Sequence, residues 1–139
     1  GGTALYDSMA TLISETAAHL NTFSKKKRPA SVIVAIMTDG YENASREWNS
    51  AAIKKLVESK TAQGWQFLYM GADENAIEEA GKVGIAAGNS VTYTRGNAKD
   101  AILATSMNVA SYRGAVAMGS AVASVAYSDD QREVLLKDG

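Results

Sequence analysis

The sequence predicts an α/β fold, an open parallel sheet with helices packed on its faces. Three observations predict it. Apolar positions at helical spacing alternate with short apolar runs, in the order helix, strand, helix, strand, short helix, strand. That order is the pattern of parallel strands joined by right-handed crossovers. The strand runs are rich in β-branched and aromatic residues and do not alternate with polar ones, as strands buried on both faces read. The chain has 139 residues, enough for one domain with its own core.

The elements follow in order. Leu5, Met9, Leu12, Ile13, Ala17 and Leu20 recur at steps of mostly three and four and give a one-sided apolar helix over Ala4 to Asn21. Lys25-Lys26-Lys27-Arg28 sits at its C-terminal end, where cations complement the helix dipole, and Pro29 cannot continue a helix. Ser31-Val32-Ile33-Val34-Ala35-Ile36-Met37 is the first buried strand, ended by Thr38-Asp39-Gly40. A polar loop runs to Trp48. Asn49 then caps a helix whose apolar positions are Ala52, Ile53, Leu56 and Val57, and Gly64 breaks it. Trp65 to Met70 is the second buried strand, ended by Gly71. Asn75 to Lys82 is a short helix closed near Gly84, and Ser90 to Thr94 is the third strand.

From Asn97 to residue 127 the chain is rich in Ala, Ser and Gly. Ile102, Ser106, Val109 and Arg113 support a helix over 98 to 112, while Gly114 and Gly119 each disfavour its continuation by about 1 kcal/mol relative to Ala. Residues 128 to 139 carry six charges and read as a solvated end.

Composition excludes several function classes. The chain has no cysteine, which removes disulfides, thiolate zinc sites and a cysteine nucleophile. A single histidine, His19, removes multi-histidine metal sites and the common nucleophile–base dyads. Fourteen Lys and Arg against fifteen Asp and Glu give a net charge of −1, which argues against a nucleic-acid partner. No apolar run approaches the roughly 20 residues of a membrane span, and no signal-peptide pattern begins the chain, so no membrane partner and a cytoplasmic location are expected. Gly81-Lys82 lacks the upstream glycine of a phosphate-binding loop, and no Gly-x-Gly-x-x-Gly occurs.

The candidate site lies where the first strand ends. In open parallel sheets, ligands bind beyond the carboxyl ends of the strands. Asp39 is delivered there, a hard oxygen donor suited to Mg²⁺. The plainer alternative is that Asp39-Gly40 is only a turn. Glu42, Asn43, Ser45, Arg46 and Trp48 follow in a loop placed to contact a partner, with packing of Trp48 on the body as the alternative. Asp73-Glu74 follow the second strand tip, either as part of the same acidic rim or as N-terminal carboxylates of the short helix.

Two segments carry a family resemblance. Val32-Ile33-Val34-Ala35-Ile36-Met37-Thr38-Asp39-Gly40-Tyr41-Glu42-Asn43 resembles the central strand and following loop of a von Willebrand factor type A (VWA) domain. Gly1-Gly2-Thr3-Ala4-Leu5-Tyr6-Asp7-Ser8 resembles that family's threonine loop. Phe67 to Gly71 and Val91 to Tyr93 resemble its next strands, and Met37 to Trp48 looks most like bacterial and phage members.

The resemblance implies a partial VWA-like three-layer fold, a Rossmann-like open parallel sheet sandwiched by helices. It spans residues 1–94, with 95–139 as an Ala/Ser/Gly-rich helical or flexible extension. It also implies a metal-ion-dependent adhesion site holding Mg²⁺, with Thr3 and Asp39 as the metal ligands. A partner's acidic side chain would complete the coordination, and Glu42, Asn43, Arg46 and Asp73 are candidate partner contacts.

The family's first metal loop, Asp-x-Ser-x-Ser, does not occur in the sequence. The expectation is therefore a chain lacking the family's N-terminal strand and first metal loop, with an incomplete site and an exposed edge on strand 32–37. That edge would pair with the absent segment, another copy or another protein. The expected function is a non-catalytic, VWA-like protein-binding module. The alternatives are a Rossmann-like, Mg²⁺-dependent phosphate or nucleotide enzyme using Asp39, and a structural or assembly domain with a degenerate site.

Overall fold

A computed structural model of the chain describes residues 4–24, 26, 31–39, 45, 47–72, 74–120 and 123–137. It is α/β, with three parallel strands and helices on both faces of the sheet. The elements are α1 (Leu5–Leu20), β1 (Ile33–Thr38), α2 (Ser50–Ala62), β2 (Gln66–Gly71), α3 (Ala76–Lys82), β3 (Ser90–Thr92), α4 (Ala98–Ala117) and α5 (Asp129–Leu135). The strand order is β1-β2-β3, with Val34 opposite Phe67 and Met70 opposite Val91.

Capping fixes where the helices begin and end. The Asn49 side chain accepts from the Ala52 amide at 2.9 Å and starts α2. Gly64, at φ +97°, ends it: the Gly64 and Trp65 amides turn back onto the Thr61 and Lys60 carbonyls, a Schellman closure that needs a left-handed residue. Gly84 closes α3 in the same way. In α4 the helix runs past Gly114, where added side-chain atoms would meet nothing, and stops at Gly119. The weak propensity of Gly114 is therefore overridden within the helix, and the expected end near residue 112 moves to Ala117.

Two cores sandwich the sheet. On one face Leu5, Met9 and Ile13 of α1, Ile53 and Val57 of α2 and Ala76 and Ala80 of α3 pack against Val34, Ile36, Phe67 and Tyr69. On the other, Leu68, Met70, Val91 and Tyr93 meet Ala101 and Tyr112 of α4, then Val125, Tyr127 and Leu135.

The middle strand is β2, and it is buried on both faces from Phe67 to Gly71. β1 is not. Its burial alternates: Val34, Ile36 and Thr38 are buried, while Ala35 and Met37 are exposed. The sequence expectation of two-sided burial fails for β1: on the second face only Ile33 packs, partly buried, against that core, while Ala35 and Met37 are exposed. Among the described residues no strand pairs with the outer edge of β1.

The polar end keeps Asp129, Asp130, Glu133 and Lys137 exposed, as its reading as solvated expects, but it is also ordered and anchored. Residues 129–135 form α5, started by a reciprocal cap between Ser128 and Gln131. Leu135 is 1% exposed. Polar side chains tie this end to the body. Asn97 Nδ2 donates to the Leu135 carbonyl at 3.1 Å, the Thr94 amide to the same carbonyl at 2.9 Å, and Asn108 and Gln131 bond reciprocally. Among the described residues no helix is long and apolar enough to cross a membrane.

Candidate functional site

Asp39 follows β1 at the carboxyl edge of the sheet, as its position in the sequence requires, and its side chain is 74% exposed. Thr3, Glu42, Asn43, Arg46 and Asp73 lie outside the described residues.

Among the described residues, the side chain that meets Asp39 comes from the far side of the sheet. Arg95 begins the turn between β3 and α4. One guanidinium nitrogen lies 3.5 Å from Asp39 Oδ2, and the other donates to the Asp39 carbonyl at 2.9 Å. The Tyr93 hydroxyl donates to the preceding carbonyl, that of Thr38, at 3.4 Å. That carbonyl also accepts from the Ala72 amide at 3.1 Å, where β2 ends. The end of β1 thus presents acceptors, and the ends of β2 and β3 meet them with donors.

Burial pushes the Tyr93 phenol above its usual pKa, and the Asp39 charge pushes the same way, partly offset by Arg95. Tyr93 is therefore a neutral hydrogen-bond donor at physiological pH. A shallow cleft of about 270 Å³ opens here, lined by Met37, Thr38, Asp39 and Tyr93. Gly71 lies beside it at the end of β2. A Cβ on Gly71 would fall 2.5 Å from the Ala76 Cβ, so only glycine lets α3 sit this close to the strand end.

A second arrangement was not visible in the sequence. The Asp7 carboxylate, in the first turn of α1, accepts from the Glu47 amide at 3.3 Å and the Trp48 amide at 3.0 Å. The Asp7 amide donates to Ser45 Oγ at 3.1 Å. Asp7 thereby pins the far end of the loop that follows Asp39, and Trp48 packs against the first core, as the plainer reading of that residue had it. Its only sequence signal is an acidic residue in the first turn of a helix, a common feature that says nothing about a partner about 40 residues away.

The described residues do not fit a resident divalent cation. Mg²⁺ asks for six oxygens at about 2.1 Å. Here one carboxylate is available, its oxygen faces a guanidinium, and the two neighbouring carbonyls already accept hydrogen bonds. Among the described residues no group of three His, Cys, Asp or Glu converges. Comparison of the chain with known protein families, with characterised proteins and with solved structures finds no match.

Proposed function

We propose that the chain is a VWA-like protein-binding module whose contact surface is the carboxyl edge of the sheet around Asp39. One observation carries the reading: a highly exposed carboxylate stands at the end of a parallel strand, on the edge where such sheets bind ligands. The cleft beside it is open and shallow, which suits a protein surface better than an enclosed small molecule. No catalytic step is assigned, and Mg²⁺ has no role in this reading beyond the family resemblance. A cytoplasmic setting agrees with a chain that has no cysteine.

Site-specific photo-crosslinking in the cells that make the protein tests it. A crosslinking residue in place of Glu74, exposed just past the end of β2 on the same edge, is expected to give a discrete protein adduct. The same residue in place of Lys55, exposed on α2, is expected to give none. Equal adducts from both positions, or none from either, would remove the proposal.

A second reading rests on a different observation. Among the described residues no strand pairs with the outer edge of β1, and Ala35 and Met37 are exposed beside it. Such an edge is a template for strand pairing, so two copies associating through β1 is the assembly this surface favours. Sedimentation of the wild type against Met37→Lys tests it, since an edge lysine blocks pairing. A monomeric wild type would eliminate the second reading and leave the first intact.

A further inference from the structure

We propose that Arg95 is the resident cation of the Asp39 site, holding the carboxylate in the place a divalent ion would take and competing with any such ion. The proposal rests on reading this edge as the contact surface and specifies what charge it presents there.

The geometry supports a built contact. Asp39 and Arg95 are 56 residues apart in sequence and come from the ends of the two outer strands, across the full width of the sheet. Arg95 grips two acceptors of one residue, the carboxylate and the backbone carbonyl. Tyr93, two residues earlier, donates to the next carbonyl back. These contacts engage Thr38 O, Asp39 O and Asp39 Oδ2, the acceptors at the end of β1. A guanidinium suits this role because it is permanently charged and has several donors in a fixed plane. A cation seated on Asp39 would displace the guanidinium or share the carboxylate with a like charge a few ångströms away. The consequence for a partner is that the edge presents a compensated acid–base pair, without a bare carboxylate or a metal's open coordination position.

The arrangement is exposed, with side-chain accessibilities of 74% for Asp39 and 70% for Arg95. The competition is correspondingly modest. Removing the guanidinium should strengthen divalent-ion occupancy at Asp39 by about 1.5-fold to fivefold, the range an exposed ion pair holds.

Paramagnetic line broadening by substoichiometric Mn²⁺ reads fractional occupancy even when binding is weak. It would be recorded on the backbone amides of residues 38–39, 72 and 93–95 in the wild type, Arg95→Gln and the double variant Arg95→Gln/Asp39→Asn. The amide spectrum of each variant also checks that the fold is intact. Broadening of these amides greater in Arg95→Gln than in the wild type by about 1.5-fold to fivefold, and abolished in the double variant, is the expected result. Equal broadening in the wild type and Arg95→Gln would overturn the competition and restore Asp39 as a metal-accessible carboxylate. Broadening in neither would show that the edge has no cation affinity for Arg95 to satisfy, overturning the proposal together with any metal-dependent form of the binding function. Crosslinking from position 74 keeps both Asp39 and Arg95 and is independent of all three outcomes.

Discussion

Replacing Leu135 by alanine asks whether the C-terminal end of the chain is part of the folding core. Leu135 is 1% exposed and sits with Leu68, Met70, Val91 and Tyr127 on the second face of the sheet. Truncation removes three carbons, a transfer cost of about 2.4 kcal/mol at about 0.8 per methylene. The vacated space adds to this, since the surrounding strand and helix relax only partly, so the expected total is about 2.5–4 kcal/mol. For a domain of this length the melting temperature should fall by about 10 °C.

The control is built into the sequence. Leu136 is the same residue type one position on, and it is 53% exposed. Leu136→Ala should stay within about 0.5 kcal/mol of the wild type. Thermal unfolding would be followed by far-ultraviolet circular dichroism and by the fluorescence of Trp65, which lies in the first core. If the two cores unfold as one unit, Leu135→Ala shifts both signals together. The reasoning is refuted if Leu135→Ala leaves the tryptophan transition unmoved, since residues 95–137 would then be an appendage to a separately stable body. It is equally refuted if Leu135→Ala and Leu136→Ala cost the same.

Three further outcomes follow from the same contacts. Asp7→Ala removes the acceptor for the Glu47 and Trp48 amides and should cost about 1–3 kcal/mol, with faster hydrogen exchange confined at first to residues 45–48; unchanged exchange there would show that the loop end is held by packing alone. Gly71→Ala places a Cβ 2.5 Å from Ala76 and should cost about 1–3 kcal/mol by chemical denaturation, with amide shifts spreading from the start of α3 to Tyr93 and Arg95. Tyr127 is held neutral in the folded state, because burial raises its pKa above the usual value of 10.0 more than its hydrogen bond with Thr105 and the Arg132 charge lower it. Its folded pKa exceeds its unfolded one, so its contribution is complete below pH 10 and declines as pH rises from there toward the folded pKa; Tyr127→Phe should flatten that alkaline loss, and phenolate absorbance should show one late-titrating tyrosine fewer.

Local structure was legible in the sequence because local rules fix it. The apolar face of α1, the Asn49 cap, the glycine stops at Gly64 and Gly84 and the β-branched run of β1 each depend on residues within a turn or two. Parallel connectivity followed from element order, and Asp39 from the rule about strand ends. What stayed hidden depends on distance in sequence. The second core is built from Tyr112, Val125, Tyr127 and Leu135, four large side chains spaced too widely among Ala, Ser and Gly to form a periodic face. Asn97 and Asn108 tie that end down through bonds that span from 17 to 40 residues, beyond any local pattern. The pairing of Arg95 with Asp39 has the same character: an isolated arginine after a short strand carries no sign of the carboxylate two strands away.

The carboxyl edge is therefore asymmetric in a way that bears on how a partner would approach. On the β3 side it is closed, because Tyr93 and Arg95 reach over the end of β2 and supply donors to Thr38 and Asp39. On the β1 side Met37 is 37% exposed, and among the described residues no strand lies beyond it. A surface that contacted Asp39 would meet the β1 side first, where Met37 offers apolar area. The two readings of the molecule thus share a boundary at Met37 and Asp39. They separate on one point. Strand pairing along β1 depends on Met37 and should be indifferent to Arg95, whereas recognition of the compensated Asp39–Arg95 pair should weaken when either charge is removed. Its salt dependence should fall with it, as expected for exposed charges screened over about 10 Å.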